Sequence, residues 1–452
     1  MQAFIQHHPT RLLAIKSYDF ASIFRPDTRP KFRKISGLIL CLMCGATYAQ
    51  DATFDPRSLA MGGTGVANAD MSNAVFHNPA ILATTTETAR VALASPIVAL
   101  RLLDPSNLRN DTSQLGTDAS LLTNAMNTFN ANNNIANAKA AGVALTAFNN
   151  SLVTINHKIL TGNGFGGVAF ALPGKDFAFS LYVDGRAEIA GQFNYATNDQ
   201  ATLANLTQKL AACNTTTLAG VSACTAASAA APNGQVTGLQ SQLLVRGVIA
   251  KDFGFAAAHH FDDLLGLDVG ITPKFTQFSS YDYVAAAQSS THIALNNGKQ
   301  DFNAFNLDMG AAEVYELDDD TRIKTGLALK NILPANFTTA LGNGIQINPQ
   351  ATVAASYSTH LFNAAIDCDA IPNKPMIVGL SKDAQYLRLG AEFDAWRWAQ
   401  IRIGYRHDLL DNYPNLPSIG FAVSPFGLHL DLSIAAANKS EMAVSLQTGA
   451  HF

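Results

Sequence analysis

Charged side chains are scarce in this sequence: Asp, Glu, Lys and Arg make up 14% of its 452 residues, against about 25% in ordinary soluble domains. Nor is there an excess of positive charge, since 30 basic groups face 34 acidic ones. A net charge of −4 offers no electrostatic footprint for nucleic acid. No stretch of 18 or more apolar residues occurs, which excludes membrane-spanning helices. Yet 48% of the residues are hydrophobic and the mean hydropathy is +0.09. A chain this apolar without a spanning helix is either an unusually greasy soluble protein or a membrane β-barrel.

The first fifty residues read as an address. Lys31, Arg33 and Lys34 precede a short apolar run, Gly37 to Ala46, which is followed by Thr47, Tyr48 and Ala49. A basic region, an apolar core and small residues at −3 and −1 form a secretory signal peptide, with cleavage expected after Ala49. Residues 1–30 lie upstream of that signal, so either translation starts at an internal codon or the leader is long. Leu40 and Met43, ahead of Cys41 and Cys44, argue against a lipidation site. Without residues 1–49 the chain carries 23 basic and 32 acidic groups, a net charge of −9. Three cysteines remain. Cys213 and Cys224 lie eleven positions apart in a polar segment, spaced for a loop staple that export permits, and Cys368 is left over.

What is abundant is alternation. Leu387, Leu389, Ala391, Phe393 and Ala395 face one way, and Arg388, Glu392 and Asp394 the other. Ile401, Ile403 and Tyr405 oppose Gln400, Arg402 and Arg406, and Leu428, Leu430, Leu432 and Ile434 oppose His429, Asp431 and Ser433. Met442, Val444, Leu446, Thr448, Ala450 and Phe452 continue the pattern to the end of the chain. A period of two over such runs specifies half-apolar strands. Phe177 to Val183, Leu265 to Ile271 and Ile323 to Leu329 repeat it upstream, for roughly 14 candidate strands from residue 89 onward. Two long stretches, 106–157 and 199–243, are rich in Ala, Asn, Thr and Gln and read as polar helical or irregular insertions. Phe452, in phase with the apolar face, resembles the terminal aromatic read by the outer-membrane barrel assembly machinery. These features specify an all-β chain: an antiparallel outer-membrane β-barrel of about 14 strands over residues 86–452, preceded by a segment at 50–85.

That segment carries a motif. Asp55-Pro-Arg-Ser-Leu-Ala-Met-Gly-Gly-Thr-Gly-Val-Ala-Asn-Ala-Asp70 is followed by Asn73-Ala-Val-Phe-His-Asn-Pro-Ala80. Gly62, Gly63 and Gly65 let the backbone turn tightly or approach another surface, and Pro79 turns the chain away from helix at Asn78. The stretch resembles the N-terminal segment of the FadL-type hydrophobic-compound transporters, outer-membrane barrels with a hatch that contains an Asn-Pro-Ala turn. Within that group the chain is most similar to the conjugal-transfer TraF family of barrel-like proteins; no Cys-x-x-Cys redox site lies beyond the leader. The resemblance implies a hatch formed by Met61, Gly62, Gly63, Gly65, Asp70, Asn78 and Pro79 and a non-enzymatic role in the Gram-negative outer membrane. The role is passage of a hydrophobic compound or a surface part in conjugation. Partners implied are outer-membrane lipid and lipopolysaccharide, the barrel assembly machinery, a hydrophobic ligand such as a fatty acid, and the conjugation apparatus.

Residues that could carry other chemistry are few. Gly162-x-Gly164-x-x-Gly167 matches a dinucleotide fingerprint in letters but opens an alternating run instead of a helix. His259 and His260, with Asp262 and Asp263, could gather a metal, yet neighbours in a strand point to opposite faces, which favours a polar hairpin turn. Glu316 and Asp318 to Asp320 lack the glycine and distal glutamate of a calcium loop and read as a solvated turn. Trp396 and Trp398 fit an interfacial aromatic girdle. His407-Asp408 is the one pair that a barrel hydrolase could use, and a secreted β-sandwich adhesin is the soluble alternative. No catalytic residue, cofactor or metal ligand is assigned.

Overall fold

The computed structural model of the chain describes residues 55–84, 91–264, 266–286, 298–394, 398–438 and 440–451. The signal-peptide reading, Trp396 and the terminal Phe452 lie outside these residues. In chain order the strands are β1 (Ala92–Leu103), β2 (Ile159–Leu172), β3 (Ala178–Asn194), β4 (Gln242–Phe261), β5 (Leu267–Ala286), β6 (Lys299–Glu316) and β7 (Arg322–Lys330). A small hairpin follows, β8 (Ala335–Thr338) and β9 (Gly344–Ile347). Then come β10 (Gln350–Ser358), β11 (Phe362–Asp369), β12 (Tyr386–Asp394), β13 (Ala399–Asp408), β14 (Leu416–Val423), β15 (Leu428–Ala437) and β16 (Glu441–His451). All but β8 and β9 form one closed antiparallel barrel, fourteen strands among the described residues, in which β1 pairs with β16 from Ala92/His451 to Leu103/Glu441.

The alternation places apolar residues outside and charge inside. Along β15, Leu428, Leu430, Leu432 and Ile434 are exposed while Asp431 and Ser433 are buried. Arg388 in β12 and Arg402 in β13 are 2% and 5% exposed, whereas Phe393 and Ile403 beside them are 49% and 58% exposed. A soluble sandwich would show the reverse, because its core excludes unpaired charge. Closure pairs every strand edge, the condition for β-structure in lipid. The sandwich adhesin is therefore excluded by the polarity of the two faces.

Connections sort the barrel into two rims. One rim carries turns of three to five residues (173–177, 317–321, 359–361 and 424–427), and β1 begins and β16 ends there. The other carries the long connections 104–158, 195–241, 331–349 and 370–385. Strands β3 to β6 run to 17–20 residues, well beyond the 9–11 that cross a bilayer.

Two of the long connections fold into helices: α3 (Leu108–Ala131), α4 (Ile135–Ile155), α5 (Thr197–Ala212) and α6 (Leu218–Ala230), numbered after two short N-terminal helices, α1 (Pro56–Ala60) and α2 (Ala74–His77). The expected insertions are thus helical, but they are not simply polar. Leu122, Met126 and Phe129 in α3, Leu145, Leu152 and Ile155 in α4, and Leu203, Leu206 and Leu210 in α5 share one core. Their stripe is narrow because alanines 138 and 141 fill positions where larger residues would advertise a helix face. Gln242 and Leu243, placed in the second insertion by composition, already belong to β4. Cys213 and Cys224 are bonded at the joint between α5 and α6, with Cα atoms 4.6 Å apart, and Cys368 is free.

Candidate functional site

Residues 55–84 lie against the inward face of the barrel. Asp55 caps α1 by accepting the Ser58 amide at 3.1 Å, and Pro56 supplies the first helical position. Asn78 caps a 3-10 turn, Pro79–Ala83, by accepting the Ala80 amide at 3.0 Å. The same side chain donates to the carbonyls of Val66 (2.9 Å) and Ala311 (3.1 Å), joining two parts of the segment to β6. Asp367 of β11 accepts the amides of Gly65 and Val66 at 2.9 and 3.0 Å.

Close approach is possible because the wall is bare where the segment touches it. A Cβ on Gly270 would lie 2.5 Å from the Ala80 nitrogen, one on Gly326 2.5 Å from the Val66 carbonyl, and one on Gly390 2.5 Å from the Met61 Cβ. Gly310, Gly404 and Gly420 face Asn78, Gly62 and Ala60 in the same way. The fit is mutual at Gly62: its φ is +73°, and a Cβ there would sit 2.6 Å from the Leu389 carbonyl and from the Tyr405 nitrogen and oxygen. These six wall glycines lie three to six residues from the turn-rim ends of their strands, so the segment lies nearer that end of the barrel.

Charge fixes it in place. Arg57 makes a two-pronged ion pair with Glu392 (2.9 and 2.8 Å), and Glu392 also accepts Arg402 Nε at 2.6 Å. Arg402 in turn pairs with Asp431. Asp55 contacts the buried ring of His77 and accepts Asn73 Nδ2 at 3.3 Å. Burial alone would push the Asp55 carboxyl up; His77, the Ser58 amide and Arg57 outweigh it and hold it below the usual carboxylate range. Its contribution to folding is therefore present above the ordinary carboxylate value and is lost as the pH falls below it. Leu59, Val75, Phe76, Ile81 and Leu82 complete the seat in one cluster with residues of β1 to β4 and of β14 to β16.

The residues singled out by the motif fall at four places. Met61, Gly62 and Gly63 meet β12 and β13, Asn78 and Pro79 meet β5 and β6, and Gly65 hangs from Asp367. Asp70 caps a local turn, accepting the Ser72 amide at 3.0 Å, at the edge of a polar cavity of about 500 Å³ open to the turn rim. The long-connection rim is also filled: Ile345 of β9 bridges to Ile377, and Glu188 accepts the Met376 amide and the Ser381 hydroxyl, each at 3.2 Å.

Among the described residues the ladder is interrupted at Ser95-Pro96 of β1, where the register shifts against both β2 and β16, and again at a seam between β4 and β5. β4 pairs with β5 through Gly254/Lys274 and resumes at Ala257/Ile271 in the same register, so the rungs Phe255/Pro273 and Ala256/Thr272 are not made. Pro273 has no N–H to give to such a rung. Outside, an apolar groove of about 600 Å³ lies across this place, lined by Phe170, Leu181, Phe253, Phe255, Phe275 and Phe305. Inside, the Tyr182 ring covers Gly254, where a Cβ would lie 2.5 Å from the Tyr182 hydroxyl. Tyr182 packs edge-to-face on Phe76 of the N-terminal segment, with ring centroids 5.4 Å apart. Sequence reasoning missed this seam, although a proline inside an alternating run was its visible sign.

The remaining candidates are taken up by local structure. Gly162 to Gly167 lie within β2, between β1 and β3. His259 and His260 end β4 and precede the turn; His260 pairs with Asp268 at 2.8 Å while His259 contacts the Asp176 carbonyl. Asp318 to Asp320 form the turn before β7. Asp408 accepts the amides of Gln385 and Asn412 at 2.8 Å and of Tyr413 at 3.1 Å, and His407 meets Asn415. A carboxylate so engaged in shaping a turn is not available to orient a catalytic histidine.

Among solved structures, the chain is similar to the toluene transporter TbuX of Ralstonia pickettii (14% identity over 89% of this chain and 99% of that one, TM-score 0.48). It is also similar to the toluene transporter TodX of Pseudomonas putida (11%, 89% and 99%, 0.45) and to a FadL homologue of Pseudomonas aeruginosa (8%, 90% and 100%, 0.46). No curated protein matches it in sequence. The family described as "F plasmid transfer operon, TraF, protein" matches residues 75–369. That span takes in the Asn78-Pro79 turn and the strands from β1 to β11, well over half of the chain, and the protein belongs to this TraF family.

Proposed function

We propose that the protein is a hatch-plugged barrel of the Gram-negative outer membrane that admits a hydrophobic compound through its wall. The compound partitions from lipid into the groove, passes the β4–β5 seam, and reaches the lumen when residues 55–84 shift toward the turn rim. Short turns generally face the periplasm in such barrels, which places the helical connections outside the cell. The observation that carries this reading is the coincidence of three features at one place: two unmade rungs, an apolar groove in front of them, and the N-terminal segment directly behind. The register is the same on both sides of Pro273, so the seam is a single missing hydrogen bond in a continuous wall, the weak point at which β4 and β5 would part. A second reading, a surface component of the conjugation apparatus, is favoured by the family match and by the helices standing on the long-connection rim.

Pro273→Val restores the missing donor and should close the seam. Uptake of radiolabelled octylbenzene by cells expressing the variant is expected to fall several-fold toward that of cells lacking the protein. Equal uptake by wild-type, Pro273→Val and deletion strains would remove the transport reading, and mating frequency measured on the same strains would then test the second one.

A further inference from the structure

Directly behind the seam, the inward faces of β3 to β6 carry a compact polar cluster. Arg186 Nη2 pairs with Asp252 at 2.5 Å, and Lys274 Nζ with Asp308 at 2.8 Å and with Asp252 at 3.8 Å. Asp252 also accepts the Thr276 hydroxyl at 2.5 Å, and Asp308 the Asn331 amide at 2.7 Å. Asp184 completes the group, 3.6 Å from Arg186 Nε. Three carboxylates thus face two cations, and both cations are already held. Three buried polar atoms have no hydrogen-bond partner among the described residues: Thr272 Oγ1, Asp184 Oδ1 and Arg186 Nε. Thr272 is wholly buried and belongs to one of the two unmade rungs, and Lys274 and Tyr182 line the groove itself.

Buried polar groups left unpaired are costly, and a site that holds them discriminates strongly between ligands that satisfy them and ligands that do not. From this arrangement we infer that the seam takes an apolar compound with a neutral hydroxyl head, such as a phenol or an alcohol, in preference to a carboxylate. The inference rests on the seam being the point of entry. A hydroxyl donates to Asp184 Oδ1 and accepts from Arg186 Nε, which lie 3.6 Å apart, while the hydrocarbon body stays among the groove phenylalanines. A carboxylate can only accept. It brings a fourth negative charge to the cluster and finds no cation without a partner. A plain hydrocarbon fills the groove but leaves the three atoms as they are. The fatty acid suggested by family resemblance is thus the poorer fit to this wall.

Equilibrium binding of tritiated 4-octylphenol, octylbenzene and 4-octylbenzoate to the protein in lipid nanodiscs, with empty nanodiscs subtracted, separates these cases. Octylphenol is expected to bind at least ten-fold more tightly than octylbenzene, with octylbenzoate the weakest. Asp184→Asn should bring octylphenol down toward octylbenzene. Asp308→Asn leaves Lys274 only its longer contact with Asp252 and should strengthen octylbenzoate several-fold. Heat-modifiable migration in gels verifies that each variant folds. Octylbenzoate binding as tightly as octylphenol, or octylphenol no tighter than octylbenzene, would overturn the preference and leave the seam intact as long as octylbenzene binds and Pro273→Val weakens it. Binding of none of the three would remove the seam itself.

Discussion

Gly62→Val is expected to drive residues 55–84 out of the lumen and leave the barrel closed. At φ +73° a side chain costs about 1–2 kcal/mol through its clash with the following carbonyl, and a β-branched one costs more. The new Cβ would also meet the Leu389 carbonyl and the Tyr405 nitrogen and oxygen at 2.6 Å. Those atoms belong to β12 and β13, paired over nine rungs from Tyr386/Asp408 to Asp394/Gln400, and cannot yield without breaking the wall. Overpacking of this kind adds about 1–3 kcal/mol. The fourteen strands pair with one another independently of the segment, so heat-modifiable migration should be kept. Trypsin, to which Arg57 is nearly inaccessible in the wild type, should cleave after Arg57 in the variant. Equal protection of both chains would mean that the close approach at Gly62 does not hold the segment.

Glu392→Ala should loosen the same segment by another route. The carboxylate joins Arg57 of the segment to Arg402 of the wall, and its removal leaves two guanidiniums facing one another, Arg402 still paired with Asp431 and Arg57 left to the more weakly coupled Asp70 and Asp55. Breaking a buried ion pair by deleting one partner costs about 3–5 kcal/mol, whereas replacing both partners by apolar residues of similar volume is often neutral. Hydrogen–deuterium exchange over residues 55–70 should therefore rise sharply in Glu392→Ala and return most of the way in Arg57→Met/Glu392→Met. Exchange that stays at the wild-type level in Glu392→Ala would remove the pair as an anchor.

The barrel was legible in the sequence where one face meets lipid and the other the filled lumen. In the strands between Leu387 and Leu446 large apolar residues alternate with charged or small ones, and the structure exposes Leu389, Phe393, Ile403, Leu430, Leu432 and Val444 while burying Arg388, Arg402, Asp431 and Ser445. The turn at Asn78-Pro79 was legible because proline and an Asn cap leave a local signature. The helices of the two insertions were legible only as composition, since a core made partly from alanines gives a weak stripe. What anchors the N-terminal segment could not be read at all. Gly390, Gly404 and Glu392 lie more than 300 positions from the residues they meet, and nothing in their local pattern separates a wall glycine from any other strand glycine. The seam is an intermediate case: Pro273 breaks the rule against proline within a strand, but only the register shows that two rungs are missing and that Tyr182 stands behind them.

Under the proposed function an apolar compound crosses this barrel only when residues 55–84 move. Asn73 Nδ2 donates to Gln447 Oε1 of β16 at 2.9 Å, so cysteines at both positions, in a Cys368→Ser background, can be bridged by a short methanethiosulfonate cross-linker. Octylbenzene uptake should then be measured in proteoliposomes before bridging, after bridging, and after reduction, with the unbridged chain reduced in parallel to control for Cys213–Cys224. The account predicts at least a ten-fold fall on bridging and recovery on reduction. A bridged protein that takes up octylbenzene at the unbridged rate would contradict it.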